Sequence, residues 1–232
     1  MSLLSTNNLV SHYGDFQALY GLDFELNSKE TVAIIGSNGA GKSTFLRSIT
    51  GLIANSPEMV NFKGEAIGSK TPDEIVKLGI AMVPEGRRLF PSLSVEENLL
   101  LGNYSKRSGK WDLQRIYELF PILGERKHNP GTALSGGQQQ MVAIGRALMS
   151  NPEVLLCDEI SLGLAPTTIK DIYQALPEIQ AEGTAVVIVE QDINQALAVA
   201  DRFYCFQEGR VSLSGTPKDA SRDQIKSAYF GI

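Results

Sequence analysis

The sequence has little cysteine and no long hydrophobic run, and both absences exclude whole classes of protein. Only Cys157 and Cys205 are cysteines among its 232 residues. Two are too few for a framework of disulfides, and both lie in apolar runs that favour buried thiols. Apolar stretches such as 185–189 fall far short of the ~20 residues needed to cross a bilayer. The polar first ten residues lack the pattern of a secretory signal, so we expect a cytoplasmic protein.

Basic charge is also scarce. Lys and Arg number 21 against 26 Asp and Glu, for a net charge of −5. No Lys/Arg-rich run stands out, and this balance argues against an extended nucleic-acid surface, so we expect no nucleic acid among the partners. Hydrophobic residues make up 43% and charged residues 20%, which is typical of a globular protein whose length suffices for one sizeable core.

Short apolar runs alternate with helical patterns along most of the chain. Capping boxes begin at Thr71 and at Ser94, where Glu74 and Glu97 stand three residues later, and they mark two helix starts. The alternation predicts an α/β fold with a largely parallel sheet. The runs with buried-strand character are residues 31–35, 80–83, 154–157, 184–189 and 203–206.

Two regions depart from this alternation. The segment up to Leu26 favours antiparallel strands, with turn signals at Gly14–Asp15 and Gly21. Residues 84–150 have mainly helical patterns, which we interpret as a lobe inserted into the α/β core. We therefore predict one domain over residues 1–232, with the core at about 1–83 and 151–232 and the helical lobe at about 84–150.

A glycine-rich segment between a predicted strand and a predicted helix fits the phosphate-loop pattern G-x-x-x-x-G-K-[ST]. Its glycines let the backbone wrap closely, so that N–H groups and the helix N-terminus converge on phosphate oxygens. We expect Lys42 to bridge the β- and γ-phosphates of ATP and the Ser43 hydroxyl to bind Mg²⁺. The segment comprises Gly36, Ser37, Asn38, Gly39, Ala40, Gly41, Lys42, Ser43 and Thr44.

An acidic pair follows the apolar run 154–157. Ligands of open α/β sheets bind where such strands end. Asp158 suits an outer-sphere or water-bridged contact to Mg²⁺, a hard cation that prefers oxygen ligands. Glu159 is placed to polarise the water that attacks the γ-phosphate. Together with the phosphate loop, the pair predicts a nucleoside triphosphatase.

A third motif narrows the family. Leu134 and the four residues after it precede a helix with one apolar face; Ser135 suits the N-cap, and the two glycines leave the first N–H groups open to an anion. With this segment the whole chain, in the right order, resembles the ABC transporter ATPases, whose signature is LSGGQ. The four residues are Ser135, Gly136, Gly137 and Gln138.

The resemblance implies a head-to-tail dimer in which residues 135–138 of one subunit close on the γ-phosphate held by residues 36–44 of the other. It also implies that Tyr13 stacks on adenine. The implied partners are a second ATPase subunit, identical or different, integral membrane permease subunits and, indirectly, a substrate-binding protein. The expected location is peripheral, on the inner face of the cell membrane.

At three positions the chain departs from the general family pattern. At these positions it resembles the ATPases of branched-chain amino acid importers of the LivF type, and those of the related urea and amide importers. Glu85 stands where most members have glutamine, Gln191 where most have histidine, and Ala165 where most have aspartate; Ile160 also replaces an expected proline. Glu85 can still face Mg²⁺, as an anion. Gln191 can donate a hydrogen bond to the γ-phosphate but cannot accept a proton near neutral pH, which leaves Glu159 as the base.

The leading hypothesis is therefore an ATPase of an importer for branched-chain amino acids. The alternatives are a urea or amide importer, a DNA-repair or chromosome-organising ATPase head, a regulatory ATPase acting on ribosomes, and a stand-alone phosphate-loop kinase. DNA-repair and chromosome-organising ATPase heads would need long coiled coils. Regulatory ATPases that act on ribosomes usually have two ATPase units per chain. A stand-alone kinase would leave residues 135–138 unexplained. Arg87 and Arg88 are either solvated or contact the permease.

Overall fold

The computed structural model describes residues 2–231 and has ten strands in that range, arranged as two sheets. Met1 and Ile232, which the predicted domain range includes, lie outside the described residues. The strands are β1 (Leu4–Tyr13), β2 (Phe16–Leu26), β3 (Thr31–Ile35), β4 (Val60–Phe62), β5 (Glu65–Ala66), β6 (Ile80–Val83), β7 (Val154–Asp158), β8 (Ala185–Glu190), β9 (Arg202–Gln207) and β10 (Arg210–Gly215).

Helices connect and flank these strands. Short 3-10 turns occupy Pro57–Met59, Leu101–Ser105 and Gly131–Ala133. None of the helices between residues 2 and 231 is long and apolar enough to cross a bilayer. The helices are α1 (Lys42–Ile49), α2 (Pro72–Leu78), α3 (Val95–Leu100), α4 (Leu113–Leu119), α5 (Pro121–Glu125), α6 (Gly136–Leu148), α7 (Pro166–Ala181), α8 (Ile193–Val199) and α9 (Arg222–Phe230).

The smaller sheet is antiparallel, in the order β2-β1-β4-β5. As predicted, β1 and β2 form a hairpin whose turn is Gly14–Asp15. The predicted turn at Gly21 is wrong, because Gly21 lies inside β2, between the paired residues Tyr20 and Leu22. Its φ of 81° and the close approach of Asn8 require glycine there. The turn signal in fact marked a β-bulge.

The larger sheet has the order β10-β9-β3-β8-β7-β6, and all of its strands are parallel except β10. The α/β prediction with a mostly parallel sheet is confirmed. Because β3, β8 and β7 are neighbours, the residues that follow them meet at one edge. The phosphate loop follows β3, Glu159 follows β7 and Gln191 follows β8, so the topology gathers the predicted site.

Helix α1 packs between the two sheets within one apolar cluster. Phe45 packs against Phe24 of the small sheet, with ring centroids 5.1 Å apart, and against Phe206 of the large sheet at 5.3 Å. All three rings are fully buried. Burial of a phenylalanine contributes about 1.5–3 kcal/mol, so this stack fixes the start of α1 and the loop before it.

Helix ends follow local capping. The predicted capping boxes at Thr71 and Ser94 are both present. The helix after the phosphate loop ends at Ile49. Gly51 then turns left-handed, and the Leu52 N–H donates to the Arg47 carbonyl. Both cysteines are free and buried, as predicted.

Residues 84–150 contain helices and short turns, and no strand occurs among the described residues of that range. Their apolar side chains pack against α7 and against one face of β6, β7 and β8. The division into core and lobe stays a prediction.

Candidate functional site

The phosphate loop is shaped by glycines at both ends. A Cβ on Gly36 would lie 2.5 Å from the Phe206 carbonyl oxygen, and Gly41, the N-cap of α1, has a φ of 101°. Neither position tolerates a side chain, since one has no room and the other has a left-handed backbone. The loop therefore closes tightly over the N-terminus of α1, where unpaired N–H groups favour an anion.

Lys42 is 5% exposed and points back along the loop. Its Nζ donates hydrogen bonds to the carbonyls of Gly36 at 2.7 Å and Ser37 at 3.1 Å. Glu159 Oε1 lies 3.8 Å from the same nitrogen. Burial lowers the pKa of Lys42, and the attraction of Glu159 opposes that shift. The Lys42 ammonium is thus held by two neutral carbonyls and one carboxylate. A phosphate can replace the carboxylate as the partner of the ammonium.

Ser43 and Asp158 meet although 115 residues separate them. The Ser43 hydroxyl donates to Asp158 Oδ1 at 3.2 Å. Burial raises the pKa of Asp158 to about 6, partly opposed by this hydrogen bond. A hydroxyl beside a desolvated carboxylate is a donor set of hard oxygens, which suits Mg²⁺. Residues 2–231 contain no cluster of three or more His, Cys, Asp or Glu that could hold a metal, so an ion here would need phosphate oxygens or water as further ligands.

Glu159 and Gln191 form the second contact at the sheet edge. Gln191 Nε2 donates to Glu159 Oε2 at 2.7 Å. Glu159 has a left-handed φ of 49°, and its N–H donates to the Val189 carbonyl at 2.9 Å. A left-handed conformation in a residue with a side chain costs about 1–2 kcal/mol and occurs often at functional sites. In this conformation the carboxylate lies 3.8 Å from Lys42 Nζ.

One cavity of about 940 Å³ is lined by Lys42, Ser43, Glu159 and Gln191, whereas Asp158 is not among its lining residues. The cavity is large enough for a nucleotide. Among the predicted site residues, its lining includes Tyr13, Asn38, Gly39, Gly41, Lys42, Ser43, Thr44, Glu85, Glu159 and Gln191. The segment 135–138 is not among the described residues that line it.

The end of the β1–β2 hairpin adds Phe16, which sequence reasoning missed, to the lining beside the predicted Tyr13. Tyr13 and Phe16 face each other across the two-residue turn and are 44% and 69% exposed. The hairpin signal at Gly14–Asp15 was sufficient to pair them, because directly opposed residues lie on the same face. Ala18, Glu208 and Gly209 also line the cavity, and no local pattern marks them.

Residues 135–138 begin α6 as predicted. Ser135 is the N-cap, and its hydroxyl accepts a hydrogen bond from the N–H of Gln138 while Gln138 Oε1 accepts one from the N–H of Ser135. The side chain of Thr168 in α7 occupies the space where a Cβ on Gly137 would lie. The glycine is therefore required for the contact between α6 and α7.

Glu190, at the end of β8, anchors the loop after Glu159. This carboxylate is buried and accepts hydrogen bonds from the N–H of Ser161 at 3.1 Å and from its hydroxyl at 2.7 Å. Burial raises the pKa of Glu190, and the bonds from Ser161 oppose the shift. Sequence reasoning missed Glu190. It fixes the backbone on both sides of the Glu159–Gln191 contact.

Comparison with known proteins agrees with this geometry. Residues 19–161 match the family described as ABC transporter. The chain is 41% identical to the high-affinity branched-chain amino acid transport ATP-binding protein BraG of Pseudomonas aeruginosa, over 99% of this chain and all of BraG. It is 30% identical to the lipopolysaccharide export system ATP-binding protein LptB of Haemophilus influenzae, over 100% of this chain and 98% of LptB.

A solved structure is similar over nearly the same length. It is the dimeric structure of a post-hydrolysis state of an ATP-binding cassette bound to ADP and phosphate. The TM-score is 0.81 and the identity 28%, over 92% of this chain and 98% of that one.

Proposed function

This chain belongs to the ABC transporter family, whose ATP-binding subunits hydrolyse ATP to drive transport, and we propose that it powers an importer of branched-chain amino acids. The observation that carries the proposal is the similarity to BraG, which is 41% identical from end to end. The departures Glu85 and Gln191, both at the cavity, support the same subgroup. LptB, at 30%, serves another substrate.

We propose that ATP occupies the cavity of about 940 Å³. The β- and γ-phosphates lie in the loop 36–44, on Lys42, and the adenine stacks on Tyr13. Mg²⁺ would be held by Ser43 and Asp158 with Glu85 nearby, and its charge would offset that of the phosphates. Glu159 acts as the general base, oriented by the amide of Gln191, which also donates to the γ-phosphate.

Residues 135–138 complete the site of a second subunit in this proposal. They lie away from the cavity of their own chain, yet they present the capped N-terminus of a helix that extends from Gly136 to Leu148. Such an end favours a phosphate. A similar cassette is dimeric with ADP and phosphate bound. The partner ATPase is either identical or a related chain.

The remaining proposed partners are permease subunits in the membrane and, through them, a substrate-binding protein. The chain then works as a peripheral subunit on the inner face of the cell membrane. The helical lobe, residues 84–150, presents Phe90, Leu100, Leu101 and Tyr104 at its surface, each at least 43% exposed. Exposed apolar groups of this kind suit a protein contact.

The test begins with affinity purification of the tagged chain from detergent-solubilised membranes. We expect a polytopic membrane protein and a second ATPase to co-purify. The complex, reconstituted in vesicles with ATP and Mg²⁺ enclosed and with its binding protein outside, should take up radiolabelled leucine. The Lys42→Ala complex, assembled identically, is the matched control without nucleotide binding.

Urea or short amides serve as the competing substrates in the same vesicles. Uptake of urea without leucine would replace the proposed substrate and keep the ATPase function. Failure to recover any membrane protein would instead favour an ATPase head outside transport.

A further inference from the structure

The end of β8 and the residue after it hold the segment that contains Glu159 at three successive positions. The Val189 carbonyl accepts a hydrogen bond from the Glu159 N–H at 2.9 Å, and the Gln191 amide donates to the Glu159 carboxylate at 2.7 Å. Between them, the Glu190 carboxylate accepts both the N–H and the hydroxyl of Ser161, at 3.1 and 2.7 Å. A left-handed residue such as Glu159 persists where surrounding groups over-determine its conformation, and these bonds do so.

The Glu190 side chain points into the protein interior rather than into the nucleotide cavity. It is 2% exposed and is not among the described residues that line the cavity. It lies on the same face of β8 as Val186 and Ile188, and that face packs against α7. Burial and the nearby Glu190 carboxylate raise the pKa of Tyr173 in α7. Glu190 can therefore affect the nucleotide only through the residues that it binds.

Ser161 transmits the position of Glu190 to the site. A buried carboxylate is costly unless hydrogen bonds satisfy it, and Ser161 supplies two donors. These bonds fix Ser161, two residues beyond Glu159, with respect to β8. The next residue, Leu162, lines the cavity, and its N–H donates to the Glu159 carbonyl at 3.2 Å. Displacement of Ser161 should therefore move Glu159 and Leu162 together.

We propose that Glu190 is a positioning residue for ATP hydrolysis. By binding Ser161, it holds the Glu159 carboxylate within reach of the attacking water. The proposal rests on the proposed function, in which Glu159 is the base. A base must lie within hydrogen-bond distance of the proton it accepts, and a displacement of about 1 Å can cost about 10²-fold in rate. The phosphate loop follows β3, a different strand, so loss of the Glu190–Ser161 contact should lower kcat and spare nucleotide binding.

The test measures kcat and KM for ATP with the affinity-purified complex. The rate of the Lys42→Ala complex is subtracted as the background from other sites. Glu190→Gln keeps the shape, but only one of its two terminal atoms can accept, so one donor of Ser161 loses its acceptor. We expect kcat to fall by about 10- to 100-fold and KM to stay within about threefold. Ser161→Ala, which removes only the hydroxyl, should lower kcat by about tenfold.

Ser161→Thr keeps the hydroxyl and should have a kcat within about twofold of wild type. The double variant Glu190→Gln/Ser161→Ala should be within about twofold of Glu190→Gln alone, because both changes remove one contact. Glu30→Gln is the matched control. Glu30 is also buried and accepts a backbone N–H, that of Asn27 at 2.7 Å, but it precedes β3, at the opposite end from the phosphate loop. It should unfold at a lower temperature and keep the wild-type kcat.

A wild-type kcat in Glu190→Gln would overturn the proposal, as would a loss that lies entirely in KM. Additive losses in the double variant would also overturn it, since Glu190 would then not act through Ser161. If Glu190→Gln does not fold, the Ser161 variants decide, and equal kcat in Ser161→Ala and Ser161→Thr would reject the proposal. A wild-type complex that does not hydrolyse ATP would instead refute the proposed function, and with it the premise of this role.

Discussion

Replacing Glu159 by glutamine should change two properties in opposite directions, because the carboxylate contacts both Lys42 and Gln191. The amide keeps the shape and cannot accept a proton, so hydrolysis should fall by roughly 10²–10⁴. Nucleotide binding should become tighter. In the free protein Lys42 Nζ lies 3.8 Å from Glu159 Oε1, and a phosphate must compete with that carboxylate for the ammonium.

The size of the binding effect follows from this distance. Two unit charges 3.8 Å apart attract by about 4 kcal/mol at an effective dielectric of ~20. Only part of this attraction is lost when nucleotide binds, since Lys42 stays near Glu159. In addition, the carboxylate repels the γ-phosphate. For Glu159→Gln we expect a net gain in ATP-binding free energy of about 1.4 kcal/mol, which corresponds to a tenfold lower Kd. ADP should show the same direction with a smaller gain, because it lacks the γ-phosphate.

Calorimetry with ATP and ADP, together with phosphate-release kinetics, measures both quantities. Glu208→Gln is the matched control, since Glu208 lines the same cavity from the turn between β9 and β10. Its affinity should stay within about twofold of wild type. Equal or weaker binding by Glu159→Gln would refute competition for Lys42, and a loss of hydrolysis below tenfold would remove Glu159 as the base.

Three further outcomes are expected. Lys42→Ala should lose ATP affinity and nearly all hydrolysis in a binding and phosphate-release assay, because the phosphates lose their cation; normal turnover would contradict the loop assignment. Ser135→Arg should keep ATP binding, measured by calorimetry, and lose hydrolysis, because a long cation fills the place of the partner's phosphate; equal loss of both would place Ser135 in its own subunit's site. Arg202→Met should lower the free energy of unfolding by roughly 2 kcal/mol, because it removes the hydrogen bonds from the guanidinium to Glu30. This magnitude lies between those of exposed and of buried ion pairs.

The last of these carries a pH dependence. Burial raises the pKa of Glu30, but the bonds from Arg202 and Asn27 outweigh it, and the net pKa lies below its ordinary value of 4.5. The ionised Glu30 carboxylate therefore stabilises the folded state above pH 4.5, and this contribution is lost as the pH falls through the pKa of the folded protein. The difference in unfolding temperature between wild type and Arg202→Met should therefore be full at pH 7 and shrink below about pH 4.5. An unchanged difference at pH 3 would contradict the assignment.

Sequence by itself determined the local parts of this protein. The capping boxes at Thr71 and Ser94 and the phosphate loop involve residues a few positions apart, and their geometry follows from backbone conformation and hydrogen bonds within one turn. The strand runs were equally visible, since strands buried on both faces are continuously apolar. The glycine at position 21 does not distinguish a turn from a bulge, because both can require a positive φ.

Only the tertiary structure decided what meets at the site. Ser43 bonds Asp158, and Gln191 bonds Glu159, because the strand order places β3, β8 and β7 side by side, and no local preference encodes that order. The same holds for Arg146, which looks like an ordinary helix residue until α6 packs beside the carbonyls of Arg87 and Arg88. Side-chain contacts over such distances depend on how elements pack, and that is a property of the whole fold.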